Sequence, residues 1–357
     1  MTWIKANRAI GIGSLPHTEI PAAFELVSRT FPHWPHWPQL PQRSKEQGFV
    51  MQYVQPLAKA GLLQTEGLCF SRNTPDWDCN LSQFYELYAA LQANDSQAMD
   101  FFSLEPDAFS SLDYFLTHLT VHFPAAEGVK GQISGPLSIG LQIKDECGQA
   151  AFYDKTLRDL LVKCITAQGV LQARKLQTTS LPVLLFIDDP CLFLLDDPAH
   201  NALTREAAAA ALSEIIQPLK SLNVKVGVHV CAPADWSILF ALPLDVVSFD
   251  AYTYFDSMKE QAQYLQDFLL RGGKLAWGLV PTSEEAWQTT AAGLAQLFEQ
   301  QCSALQACSL DVSLLRRNII WTPSCGTGML EQKLARHIYR LLTELAQLHE
   351  KNSETIV

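Results

Sequence analysis

The sequence predicts an α/β fold: a single (β/α)8 barrel of the TIM type over residues 1–357, with long loop insertions near the N-terminus. Eight short apolar runs alternate with longer amphipathic stretches. That alternation is what right-handed crossovers convert into a parallel sheet, and eight units are the count at which such a sheet closes. Five of the eight runs end in a side chain able to ligate a metal or bind a polar group. Barrel active sites lie at those carboxyl ends of the strands. The alternative is an open doubly wound sheet with a second domain, but GIGSLP (11–16) lacks the GxGxxG spacing of a dinucleotide loop.

The predicted strands, in order, are 9–15, 49–54, 129–134, 183–189, 225–231, 246–251, 275–280 and 319–325. Helical periodicity is clearest over 81–94, 106–119, 152–177, 204–220, 256–271, 284–305 and 330–349. Two stretches interrupt the alternation. Residues 31–48, FPHWPHWPQLPQRSKEQG, are too rich in proline for a regular helix or a central strand, so they are expected to pack as an ordered loop across the barrel. Residues 61–80 read as a second long excursion, and long ordered loops on a barrel often serve as lids.

Composition narrows the function. A net charge of -11 and a pI near 5.3 argue against nucleic acid or an anionic membrane surface as partner. No run approaches the roughly 20 apolar residues of a membrane helix. The N-terminus shows no apolar secretion core. Nine scattered cysteines, an odd number, read as reduced thiols in a cytoplasmic protein.

The chemistry concentrates in KVGVHVCAPADW (225–236). Residues two apart on a strand face the same way, so His229 and Cys231 leave the fifth predicted strand side by side. Cys325 ends the eighth predicted strand and Asp250 the sixth. Two thiolates, an imidazole and a carboxylate form a plausible zinc set, since soft sulfur and borderline nitrogen favour that ion. Asp250 has a plainer reading as a turn cap. Ser14 follows the apolar run of the first predicted strand and suits a helix cap near Pro16 and Glu19, a role compatible with substrate binding. Asp188 and Asp189 follow the fourth. Cys69, Cys79, Cys147, Cys164, Cys191, Cys302 and Cys308 read as small core residues. His33, His36, His118, His122, His200, His337 and His349 read as structural.

With these residues placed, the chain resembles the C-terminal barrel of cobalamin-independent methionine synthase. More widely it resembles the superfamily shared with uroporphyrinogen decarboxylase and corrinoid-linked methyltransferases. The resemblance rests on Ile12-Gly13-Ser14-Leu15-Pro16, Lys130-Gly131 with Gly135-Pro136 and Ile139, Ile187-Asp188-Asp189-Pro190, His229-x-Cys231, and Pro323-Ser324-Cys325-Gly326. It implies His229, Cys231 and Cys325 as zinc ligands, with Asp250 where the family carries a glutamate ligand. It implies Ile12, Gly13 and Ser14 for a homocysteine carboxylate and Asp188 for its amino group. A second family acid aligns near Ser44, and a family histidine aligns with Thr282 or Ser283. The implied activity is methyl transfer to a zinc-held thiol, homocysteine or a relative, in methionine biosynthesis. The donor would be a methylfolate or a methylcorrinoid, possibly on a corrinoid protein. The alternatives are a non-catalytic zinc- and thiol-binding barrel and, last, a decarboxylase-like lyase.

Overall fold

Six parallel strands hydrogen-bond side by side in chain order. They are β3 (Val129–Ser134), β4 (Val183–Asp188), β5 (Lys225–Val230), β6 (Val246–Asp250), β7 (Lys274–Val280) and β8 (Ile319–Pro323). The computed structural model describes residues 3–354. A separate antiparallel pair, β1 (Leu63–Gln64) with β2 (Cys69–Phe70), lies in the excursion over 61–80. All six predicted strands from 129 onward are therefore present. Helices at Lys155–Gln177, Arg205–Ser221, Ala291–Ala307 and Gln332–Glu354 follow the predicted periodicity.

The sheet is not a closed eight-stranded barrel. The other two predicted strands are replaced, each for a physical reason. Residues 51–59 form a helix. Val50, Tyr53, Val54 and Leu57 are buried, the i, i+3, i+4, i+7 spacing of one helical face rather than the alternation of a strand. Residues 9–15 are extended but make only isolated parallel bridges, Ala9 with Trp321 and Ser14 with Gln39. Gln39 belongs to the proline- and tryptophan-rich stretch, and His36 of that stretch bridges in parallel to Lys130 of β3. Two irregular segments thus span the gap between β8 and β3. Prolines 35 and 38 lack the N–H groups that a continuous ladder requires.

The inner face of the curved sheet is layered. Ile10, Leu184, Phe186, Val246, Ala276 and Ile320 pack there as an apolar cluster, with Trp34 and Ile4 below. Further along the same faces come Gln132, Ser134, Asp188, His229, Ser248, Asp250, Thr322 and Ser324. The strands therefore turn polar towards their carboxyl ends. The outward-facing Leu185, Ile187, Val226, Val228, Val247 and Leu275 join the larger core under the helices.

His36 is fully buried in this wall. Its Nδ1 donates to the Trp37 carbonyl at 3.0 Å, and a Cβ at Gly11 would collide with its ring. Burial, helped by the Lys130 charge, pushes its pKa down to about 3. A depressed folded-state pKa means that the unfolded chain takes up the proton first. Its contribution is complete above the unfolded value of 6.5 and declines as pH falls towards 3, by at most about 1.4 kcal/mol per pH unit. Asp189, raised to about 6 by burial, contributes the opposite slope over part of that range. The difference between the wild type and His36→Gln isolates the histidine. Urea unfolding at pH 7 and pH 5 should show a smaller acid loss in the variant; equal losses would remove the assignment.

The remaining cysteines correct the expectation of core residues. Cys164 and Cys302 are buried and Cys69 and Cys191 partly so, but Cys79, Cys147 and Cys308 are exposed. Each of those three lies in or beside a helix end or turn where no apolar neighbour encloses it. No helix among the described residues is long and apolar enough to cross a membrane.

Candidate metal and thiol site

β5 delivers His229 at its inner carboxyl end, and the chain leaves the strand one residue later with Cys231. β8 ends at Pro323, and the following turn carries Cys325. The ligand-competent atoms of His229, Cys231 and Cys325 all lie within 4.8 Å of one another. Nearly a hundred residues separate the two cysteines in sequence, and the curvature of the sheet across the two intervening strands, β6 and β7, brings them together. His229 is buried, and both cysteines are partly exposed.

The electrostatics of the cluster set its two thiols apart. Cys231 hydrogen-bonds to Cys325 and pushes that thiol well below its ordinary pKa, and His229 acts in the same direction. Cys231 is pushed up, first by that same bond and then by burial. The two shifts run in opposite directions because two thiolates side by side repel unless a positive ion stands between them. His229 Nε2 is buried and has no hydrogen-bond partner, while Nδ1 lies 2.9 Å from Ser248 Oγ. A metal-binding imidazole has this arrangement: one nitrogen available to the ion, the other fixed by a hydrogen bond that sets tautomer and ring angle. The donor set and the orphaned nitrogen both fit zinc.

Ser248 was not singled out in the sequence. The signal was present in VVSFD, where Ser248 shares Asp250's face of a strand that neighbours β5. Ser248→Ala is expected to weaken zinc binding by about 10- to 100-fold, the usual effect of removing such a partner. Competition against a chromophoric chelator measures it, and unchanged affinity would deny Ser248 this role.

Asp250 is not among the three mutually close donors. Its Oδ1 accepts from Thr253 N at 2.8 Å, the turn-capping arrangement. Burial raises its pKa, and the Cys325 charge adds to the rise, so it faces the site without joining the cluster.

Asp188 ends β4 in register with His229. Its Oδ1 is enclosed without a partner. Burial raises its pKa to about 6, against the pull of Lys130 and His229. The adjacent Asp189 has a different job. It accepts from Leu137 N at 3.0 Å, Ser138 N at 2.8 Å and the Ser138 hydroxyl, tying β4 to the start of the Pro136–Gln142 helix.

Ser14 does not cap the first helix, Ile20–Thr30, whose N-cap Glu19 makes no side-chain capping bond. Its hydroxyl instead accepts from Gly328 N at 3.2 Å, and its carbonyl accepts from Thr327 N and Oγ1. A Cβ at Gly326 would collide with Ser14 Oγ, so glycine is what lets the 9–15 segment approach the Cys325 turn. Thr282 also braces that turn: its N–H donates to Ser324 Oγ at 3.1 Å, and the two hydroxyls lie 2.9 Å apart. Ile12, Gly13, Ser14, Asp188 and the three metal-type donors therefore belong to one end of the sheet.

No family model matches the chain, and no curated protein matches it in sequence. Among solved structures, a B12-independent methionine synthase from Shewanella sp. W3-18-1, in complex with selenomethionine, is similar with a TM-score of 0.49. The identity is 15%, over 69% of this chain and 68% of that one. A glycoside hydrolase is similar with a TM-score of 0.38 and 14% identity, over 69% of this chain and 84% of that one. Likenesses this distant do not discriminate between activities; only the residues of the site can.

Proposed function

We propose that this chain is a zinc-dependent S-methyltransferase acting on a small amino-acid thiol, homocysteine or a close relative. The observation that carries the reading is the convergence of His229, Cys231 and Cys325, with the histidine's second nitrogen already held by Ser248. Zinc bound there would supply a Lewis acid that keeps a substrate thiol deprotonated near neutral pH, where a free thiol is mostly protonated. The two cysteine sulfurs keep the net charge of such a centre low, which preserves the nucleophilicity of the thiol. The unpartnered Asp188 Oδ1 offers an acceptor for the ammonium group. The Ile12–Ser14 segment offers backbone and hydroxyl groups for the carboxylate. Holding both ends restricts the sulfur to productive angles, and such orientation supplies several kcal/mol of a barrier. The methyl group would come from a methylfolate or a methylcorrinoid.

The test is direct. Zinc-loaded protein is incubated with homocysteine together with either methyltetrahydrofolate or methylcobalamin, in separate reactions, and the S-methyl product is quantified by mass spectrometry. Product with either donor, lost in His229→Ala, supports the enzyme. A metal-loaded protein that binds thiols but yields no product with any donor supports a binding barrel instead. One observation favours that second reading: the Thr282 hydroxyl is engaged with Ser324, leaving no titratable side chain at the position where a family histidine would align.

A further inference from the structure

The metal reading leaves the placement of Lys130, near this site, unexplained. Lys130 is the second residue of β3 and is completely buried. An enclosed ammonium is costly unless its partners are well placed. Its Nζ donates to the Ile12 carbonyl, and it lies 4.4 Å from the centre of the Phe186 ring. It also leads the favourable charges acting on Asp188. A methionine would fill the same space without that cost, so packing alone does not account for a lysine.

The surrounding backbone suggests a purpose. The 9–15 segment has no ladder to hold it; its bridges are at Ala9 and Ser14. Ile12 lies between them, and its carbonyl is held by a side chain rather than by a neighbouring strand. Immediately after it, Gly13 has φ +149 and is packed against Gln132, and Ser14 meets the turn that carries Cys325.

We propose that Lys130 is a positioning residue for the thiol site: its ammonium fixes the Ile12 carbonyl, and with it the Gly13–Ser14 turn, while placing a positive charge below Asp188. The two groups offered to the amino-acid end of the substrate are thereby held at a set separation. The proposal rests on the thiol-binding reading of the site and is tested so that the two fail differently.

The experiment uses the full chain loaded with cobalt(II) in place of zinc and follows the sulfur-to-cobalt absorption on titration with two probes. L-Homocysteine carries the amino and carboxylate groups; 1-propanethiol carries neither. In Lys130→Met the homocysteine affinity should fall by about tenfold or more, the effect of a lost charge-assisted contact. Propanethiol affinity should stay within about twofold, and cobalt stoichiometry should be unchanged. Equal weakening of both thiols, or weakening of neither, overturns the positioning role. If Lys130→Met does not fold, Lys130→Gln, which keeps a donor for Ile12 but no charge, is judged by the same two-thiol comparison. A wild-type cobalt protein that binds neither thiol brings down the thiol-site reading, and this proposal with it.

Discussion

Cys325→Ser is expected to lower tightly bound zinc from about one ion per chain to less than about a tenth, measured by elemental analysis after dialysis against a weak chelator. Serine is close in size and still satisfies the turn, whose geometry is set by Gly326 and by the Thr282–Ser324 bonds rather than by the thiol. The fold should therefore survive, with an unchanged circular dichroism spectrum. The hydroxyl, however, does not ionise near neutral pH, so the variant offers one anionic sulfur where the wild type offers two. Cys231 would also lose the sulfur beside it that opposes its ionisation. Cys191→Ser serves as the control, since Cys191 is a partly buried thiol outside the three-donor cluster. Full zinc retention in Cys325→Ser, or equal loss in Cys191→Ser, would refute the assignment.

How much of this was legible in the sequence depended on whether local pattern and tertiary pairing agreed. The last six strands were readable because each is a short run of β-branched and apolar residues bounded by turn signals, and each is buried on both faces. His229-x-Cys231 was readable because period two places both on one face of a strand. The pairing with Cys325 followed only once the strands were assumed to converge, a topological inference rather than a local one. The strands expected at 9–15 and 49–54 were misread, while 31–48 was rightly taken as an ordered loop packed across the sheet. FVMQYV resembles a strand by composition, but its buried positions run on through Leu57 at helical spacing. The stretch around His36–Gln39 lacks a strand pattern because its prolines prevent a ladder, yet it lies between the N-terminal segment and β3. Ser248 and Lys130 were overlooked as functional because neither bears a ligand atom of the usual kind. Their relevance exists only in what they touch, His229 and Ile12.

Trp37→Ala is expected to destabilise the protein by about 3–5 kcal/mol, seen as a lower urea midpoint at little-changed slope. The size of that effect decides what the proline- and tryptophan-rich stretch is for. A lid that opens to admit substrate belongs to the low-stability end of a structure, with few enclosed side chains. Trp34, Trp37 and Leu40 are instead completely buried. The Trp37 indole donates from Nε1 to Gln172 Oε1 at 2.9 Å, and its carbonyl accepts from His36 Nδ1 and Gln132 Nε2. Gln172, from the Lys155–Gln177 helix, in turn donates to the Gln132 carbonyl at 3.0 Å. One side chain therefore ties the stretch to β3 and to the helix packed behind it. Alanine would leave a cavity of indole size and remove one of the two hydrogen bonds that Gln172 Oε1 accepts, the other coming from Gln132 N at 3.1 Å. If the stretch were a lid, Trp37→Ala would change thiol affinity and leave the unfolding midpoint nearly where it was. A loss confined to stability, with zinc binding retained below the transition, is what a structural stave between Ser14 and Lys130 requires.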